Sequence, residues 1–76
     1  MFELYELESC PYCKKVIECL ENKGITFEKK DISEPKHYKE LLGLGGKAQV
    51  PFLYDYDSNI RLYESDKIIE FLNCDK

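Results

Sequence analysis

The period of the apolar positions changes along the chain, and each change marks a new element. Phe2, Leu4, Tyr5 and Leu7 form an apolar stretch too short for a helix, interrupted by Ser9 to Pro11, which predicts a buried strand over residues 2–7. From Pro11 onward Cys13, Val16, Ile17 and Leu20 recur at the i, i+3, i+4, i+7 spacing of an amphipathic helix. Pro11 suits its first turn, where a backbone N–H has no helical partner to lose, and Gly24 supplies its stop. Ile25 to Ile32 alternates weakly through Ile25 and Phe27 and predicts a second strand. Ser33 stands where a cap would start a short helix with Tyr38, Leu41 and Leu42 on one face, and Gly43, Gly45 and Gly46 would end it. Val50–Tyr54 and Ile60–Tyr63 flank the turn-rich Asp55–Asn59 and predict a β-hairpin. Ser65 is placed to cap a last helix carrying Ile68, Ile69, Phe71 and Leu72.

The resulting order is β-α-β-α-β-β-α. A strand, helix and strand in succession form a parallel unit with a right-handed crossover, and the hairpin adds an antiparallel pair, so the class is α/β with a four-stranded mixed sheet. With 76 residues the whole chain, 1–76, is one domain near the lower size limit for a self-sufficient core. A hydrophobic fraction of 43% allows such a core even with 34% of residues charged.

Charge and cysteine content narrow the chemistry. The net charge is -4, with Lys and Arg dispersed along the chain, which argues against a nucleic-acid or anionic-membrane partner. The first residues lack the basic start and apolar run of a signal peptide, and no run is long enough to span a bilayer, so a cytoplasmic protein is expected; a monomer is expected as well, though nothing in the sequence fixes the oligomeric state. Four cysteines would suit a disulfide framework only in an oxidising compartment. Two of them form Cys10-Pro11-Tyr12-Cys13, a spacing that in a cytosolic protein points to redox chemistry or to metal.

Thiolates, not thiols, attack disulfides. Cys10 falls at the start of the first predicted helix, where free N–H groups and the positive end of the helix dipole favour an anion, and thiols so placed in C-x-x-C motifs ionise at roughly pH 3.5–7.5. Lys14 and Lys15 are poorly placed for helix stability, since cations in the first turn oppose the dipole, yet they lie within a turn of that anion as thiolate-stabilising candidates. Cys13, one turn on, is the candidate resolving thiol, more buried and able to close a redox-active Cys10–Cys13 disulfide. The bland alternatives are a zinc pair and two inert core thiols. Zinc asks for four ligands, and with one histidine and no second C-x-x-C no metal is expected. Inert thiols fit poorly at an exposed strand-to-helix turn.

The remaining candidates have structural readings. Cys19 is expected to pack as a small hydrophobe on the flank of its helix, and Cys74 to fray at the terminus. His37 is expected to be solvated, and Tyr5, Tyr54 and Tyr56 to be sheet residues.

At these residues a resemblance becomes visible. Cys10-Pro11-Tyr12-Cys13 resembles the dithiol motif of glutaredoxins, Gln49-Val50-Pro51 the facing segment with a cis-proline, and Leu62-Tyr63-Glu64-Ser65-Asp66 the Glu-Ser stretch of glutathione-transferase N-terminal domains. The element order is that of the thioredoxin-like fold in its minimal glutaredoxin form. The resemblance implies a glutathione-dependent thiol–disulfide oxidoreductase with glutathione as co-substrate and disulfide-containing or glutathionylated proteins as partners. By position it makes Cys10 the nucleophile, gives Val50 the cysteinyl part of glutathione and Glu64 with Ser65 its γ-glutamyl end, and puts Pro51 and Tyr12 beside the bound peptide. Two positions depart from the family: Leu7 replaces a frequent Lys, with Lys47 as candidate substitute, and Gln49 replaces a Thr. Two rival readings use the same thiols, a glutathione-ligated iron–sulfur cluster carrier and a thioredoxin-like electron donor that does not need glutathione.

Overall fold

Leu4 and Tyr5 point to opposite faces of β1 (Phe2–Glu6), and the two halves of the core grow from that alternation. In the computed structural model, which describes residues 1–74, β1 pairs in parallel with β2 (Phe27–Asp31) and antiparallel with β3 (Phe52–Asp55). β3 in turn pairs antiparallel with β4 (Ile60–Tyr63), giving the order β2-β1-β3-β4. This is the four-stranded mixed sheet of a thioredoxin-like α/β protein.

Register carries the alternation across the sheet. Leu4 lies opposite Leu53, and on that face α1 (Pro11–Asn22) and α3 (Ser65–Leu72) bury Val16, Leu20, Ile68 and Leu72. Tyr5 lies opposite Phe52 and Phe52 opposite Tyr63, and on that face α2 (Pro35–Gly45) buries Leu41. Each fully buried Leu or Ile contributes about 1.5–3 kcal/mol. The rings of Phe52 and Tyr63 pack with centroids 4.5 Å apart.

Several boundaries differ from the expected ones, each for a local reason. Ile25 belongs to the closure of α1: Gly24 takes φ 68° and Ile25 N–H donates to the Leu20 carbonyl (3.0 Å), so β2 starts only at Phe27. Glu34, not Ser33, is the cap residue of α2, because the Ser33 N–H is taken by the Asp31 carboxylate (2.9 Å) and Pro35 opens the helix. The helix runs through Gly43 and Gly45 and stops at Gly46, the glycine with φ 84°. Of its expected apolar face only Leu41 is buried, while Tyr38 and Leu42 are exposed. Ser65 is the first residue of α3 and Glu64 its cap. Tyr56 sits exposed in the hairpin turn and not in a strand.

Two further expectations are overturned. His37 is largely covered, with Nδ1–H donating to the Asp31 carbonyl at 2.9 Å across the β2–α2 corner. Cys74 does not fray, and Cys19 is more than a packing residue: the two form a disulfide with Cα atoms 5.9 Å apart. Asn73 at φ 66° turns the chain, and Cys74 N–H donates to the Ile69 carbonyl (3.0 Å), which brings its sulfur onto α1. Among the described residues no helix is long and apolar enough to cross a membrane.

Candidate active site

The chain leaves β1 through a tight turn in which Cys10 N–H donates to the Leu7 carbonyl (3.1 Å). Cys10 is the cap residue of α1, in extended conformation at φ -90° and ψ 114°, and its carbonyl receives the Lys14 N–H (3.3 Å). Its side chain makes no capping bond, so the sulfur stands at the end of a helix whose first N–H groups point past it without helical partners. Pro11 fixes that geometry at the first helical position.

Cys10 is partly exposed and Cys13 completely buried, and both are free thiols. Burial pushes the Cys13 thiol up to about 12; a hydrogen bond donated to its sulfur by the Leu7 backbone works in the opposite direction, and the adjoining Cys10 sulfur adds to the rise. The pair is therefore asymmetric in the way exchange chemistry asks, with an accessible sulfur in front and a protonated one held in reserve.

Beside the dithiol lies an open groove of about 250 Å³. It is lined by Tyr12, Val50, Pro51, Glu64 and Ser65, so residues from the start of α1, the approach to β3 and the start of α3 converge on one place. The Val50–Pro51 bond is cis. The ladders with β1 and β4 both begin at Phe52, which leaves Val50 beyond the end of the sheet and against the groove. Across the groove Glu64 takes φ 72°, an uncommon value for a residue with a Cβ, and the first turn of α3 follows it.

Two lining residues were not among the candidates. Gln49 and Asp66 both line the groove; the sequence marks them only as members of the Gln49-Val50-Pro51 and Glu64-Ser65-Asp66 segments, with Gln49 in place of the family's Thr. Three charged candidates lie outside it. Lys14 lines a separate groove with Glu6, Glu8 and Asp31 on the β2 side. Lys15 holds its ammonium over the Tyr12 ring, 5.9 Å from the centroid. Lys47 lies over the Tyr63 ring at 5.0 Å, with its backbone N–H and carbonyl both bonded to the Tyr63 hydroxyl (3.2 and 2.7 Å).

Residues 4–75 match the family "Glutathione S-transferase, N-terminal domain". An uncharacterized glutaredoxin-like 8.6 kDa protein from the rubredoxin operon of Clostridium pasteurianum is 33% identical over 75 residues, covering 92% of this chain and 99% of its own. Among solved structures, the glutaredoxin of Archaeoglobus fulgidus superposes with a TM-score of 0.73 at 23% identity, over 91% of this chain and 82% of that one. A glutathione S-transferase from Xanthobacter autotrophicus superposes with a TM-score of 0.79 at 22% identity, over all of this chain and 38% of that one, so the chain spans well under half of that relative's length. At those identities the two structures establish the shared fold. The chain belongs to the glutathione S-transferase N-terminal domain family, as a glutaredoxin-like protein of the thioredoxin superfamily.

Proposed function

We propose that this protein is a glutathione-dependent thiol–disulfide oxidoreductase acting through Cys10 and Cys13. The observation that carries the reading is the asymmetric dithiol at an open helix end, beside a groove lined by Val50, which lies beyond the end of the sheet, and by the start of α3. A peptide thiol can run along such a backbone edge while its carboxylate meets the free N–H groups at Ser65 and Asp66.

The Cys10 thiolate attacks one sulfur of a substrate disulfide, forming a mixed disulfide and releasing the other sulfur as a thiolate that takes a proton from solvent. With a protein disulfide, Cys13 then attacks the Cys10 sulfur, gives up its proton, and the second substrate thiol departs reduced. Two glutathione thiols return the Cys10–Cys13 disulfide to the dithiol and leave as glutathione disulfide. With a glutathionylated protein, Cys10 takes over the glutathionyl group and a second glutathione removes it, so Cys13 is not needed.

Cys13→Ser separates these routes. The variant is expected to stall on a protein disulfide as a covalent complex at Cys10, visible by mass spectrometry, while deglutathionylation continues at a rate within several-fold of the parent. Loss of both activities, with wild-type protein that never forms a glutathione adduct on Cys10, would sink the glutathione half of the proposal.

A further inference from the structure

The mechanism above leaves the second cysteine pair without a role. Cys19 and Cys74 are bonded to each other in the same structure in which Cys10 and Cys13 are both free. Cys19 is almost fully buried on the inner face of α1, whereas Cys74 is only partly covered just beyond the end of α3. A groove of about 430 Å³ is lined in part by both cysteines of this pair. Its lining includes Lys15, Glu18 and Lys23 from α1, with Ile69 on the α3 side.

Position excludes the catalytic dithiol of the same molecule as the exchange partner. Cys10 and Cys19 lie nine residues apart along one helix, roughly 13 Å at 1.5 Å per residue, so electrons for this bond must come from outside. Access selects the sulfur: an incoming thiolate reaches Cys74 from the groove, and Cys19 is the leaving group. The charges select the thiol. Two lysines and one glutamate in the lining suit a small acidic thiol peptide with two carboxylates and one amine, which is the composition of glutathione, better than a neutral thiol.

The location also gives the bond a mechanical consequence. α1 and α3 carry Cys10 and the Glu64–Asp66 wall at their N-terminal ends, and the disulfide ties the two helices together at the far end of α3. We propose that Cys19–Cys74 is a second, reversible thiol–disulfide couple, exchanged by glutathione in its own groove, whose state sets how firmly α3 is held on α1. In the reducing direction one glutathione thiolate attacks the Cys74 sulfur and Cys19 leaves as a thiolate that takes up a proton. A second glutathione then attacks the mixed disulfide; Cys74 is released as a thiol and glutathione disulfide departs with two electrons fewer than the two thiols brought. Glutathione disulfide drives the same steps backwards. None of this depends on the activity assigned to Cys10 and Cys13.

The test uses the full chain with Cys10→Ser and Cys13→Ser, so that only the second couple remains. The protein is equilibrated in glutathione buffers from strongly oxidising to strongly reducing, alkylated, and read by mass spectrometry at Cys19 and Cys74. Thermal unfolding and hydrogen exchange are followed on the same samples. The proposal expects the bonded fraction to pass through its midpoint within the buffer series. Reduction is expected to lower the Tm by roughly 10 °C or more, since the bond closes a loop of 55 residues, and to speed exchange in Ser65–Leu72 more than in β1. Lys23→Gln should slow reduction by glutathione severalfold and leave reduction by neutral mercaptoethanol unchanged. A pair that stays fully bonded across the series is a permanent staple, and one that stays open is no couple; either result overturns the proposal. Equal effects of Lys23→Gln on both thiols would overturn the choice of glutathione. The alkylation readout stands even if the reduced chain unfolds.

Discussion

Glu64 is where a single backbone angle connects stability with the site. At φ 72° and ψ 125° its conformation is one that glycine adopts freely, and holding another residue there costs on the order of 1–3 kcal/mol. The residue also walls the groove, which gives a reason for keeping a side chain in an awkward place. Glu64→Gly is therefore expected to raise stability by about 1 kcal/mol, after the extra chain entropy of glycine is subtracted, and to weaken glutathione binding. Urea unfolding beside calorimetric titration checks both, and a destabilised Glu64→Gly would show that the angle stores no strain. Cys13 gives a second expectation. Its thiol is raised from 9.0 to about 12 in the folded protein, so the folded state keeps a proton that the unfolded chain releases. The stability from this buried neutral thiol is complete below pH 9 and is lost as pH climbs towards 12. Cys13→Ala should flatten the alkaline decline of the urea midpoint, leaving the part due to Tyr5, whose buried hydroxyl is also raised. At this scale the residues that the fold gathers at the candidate site were readable where they are contiguous, as in Cys10–Cys13, Val50-Pro51 and Glu64-Ser65. The sequence was silent where the partner is distant: nothing near Cys19 announces Cys74, and nothing near His37 announces the Asp31 carbonyl.

Between residue and molecule, the end of α2 shows how elements hold the site in place. Gly45 lies in the last turn of α2, and a Cβ there would run into the Tyr63 ring and its hydroxyl. That hydroxyl ties down both backbone groups of Lys47, and the ring rests on Phe52, so β4 fixes the segment leading to Gln49, Val50 and Pro51. An alanine at an ordinary helix position would gain about 1 kcal/mol over glycine, but overpacking here costs roughly 1–3 kcal/mol. Gly45→Ala is expected to lower the Tm and, by shifting the Val50 segment, to weaken glutathione binding; Gly43→Ala, with open space around it, should leave binding unchanged. Equal behaviour of the two variants would refute the wedge. The seven elements and their order were legible because the apolar period switches between strand and helix values, cleanly at α1 and only weakly at β2. Their ends were not, since they depend on which N–H finds which carbonyl: Ile25 was lost to the closure of α1 and Ser33 to the Asp31 carboxylate.

At the scale of the whole molecule, the groove exists only because the fold brings distant segments together. Tyr12 at the start of α1, Val50 before β3 and Ser65 at the start of α3 are far apart in the chain and meet at one end of the sheet. The parallel crossover puts β1 at the centre beside β3, and the hairpin then returns the chain so that α3 begins beside the Val50 segment. Sequence periodicity could pair β1 with β2 and β3 with β4 but not set β3 against β1, so this convergence was available only from the resemblance to glutaredoxins. A ligand that needs all three segments binds the folded chain and not the unfolded one. Glutathione at a hundred times its Kd should then stabilise the protein by about 2.7 kcal/mol, which for a domain of this size raises the Tm by roughly 10–20 °C. The same shift should appear in Cys10→Ser, where no covalent adduct can form at that position, and shrink when Glu64 or Ser65 is replaced by alanine. Slower hydrogen exchange should appear together at Tyr12, Val50 and the first turn of α3, because one ligand bridges them. Protection confined to α1, with no change in Tm, would mean that glutathione meets the dithiol from solvent without entering the groove.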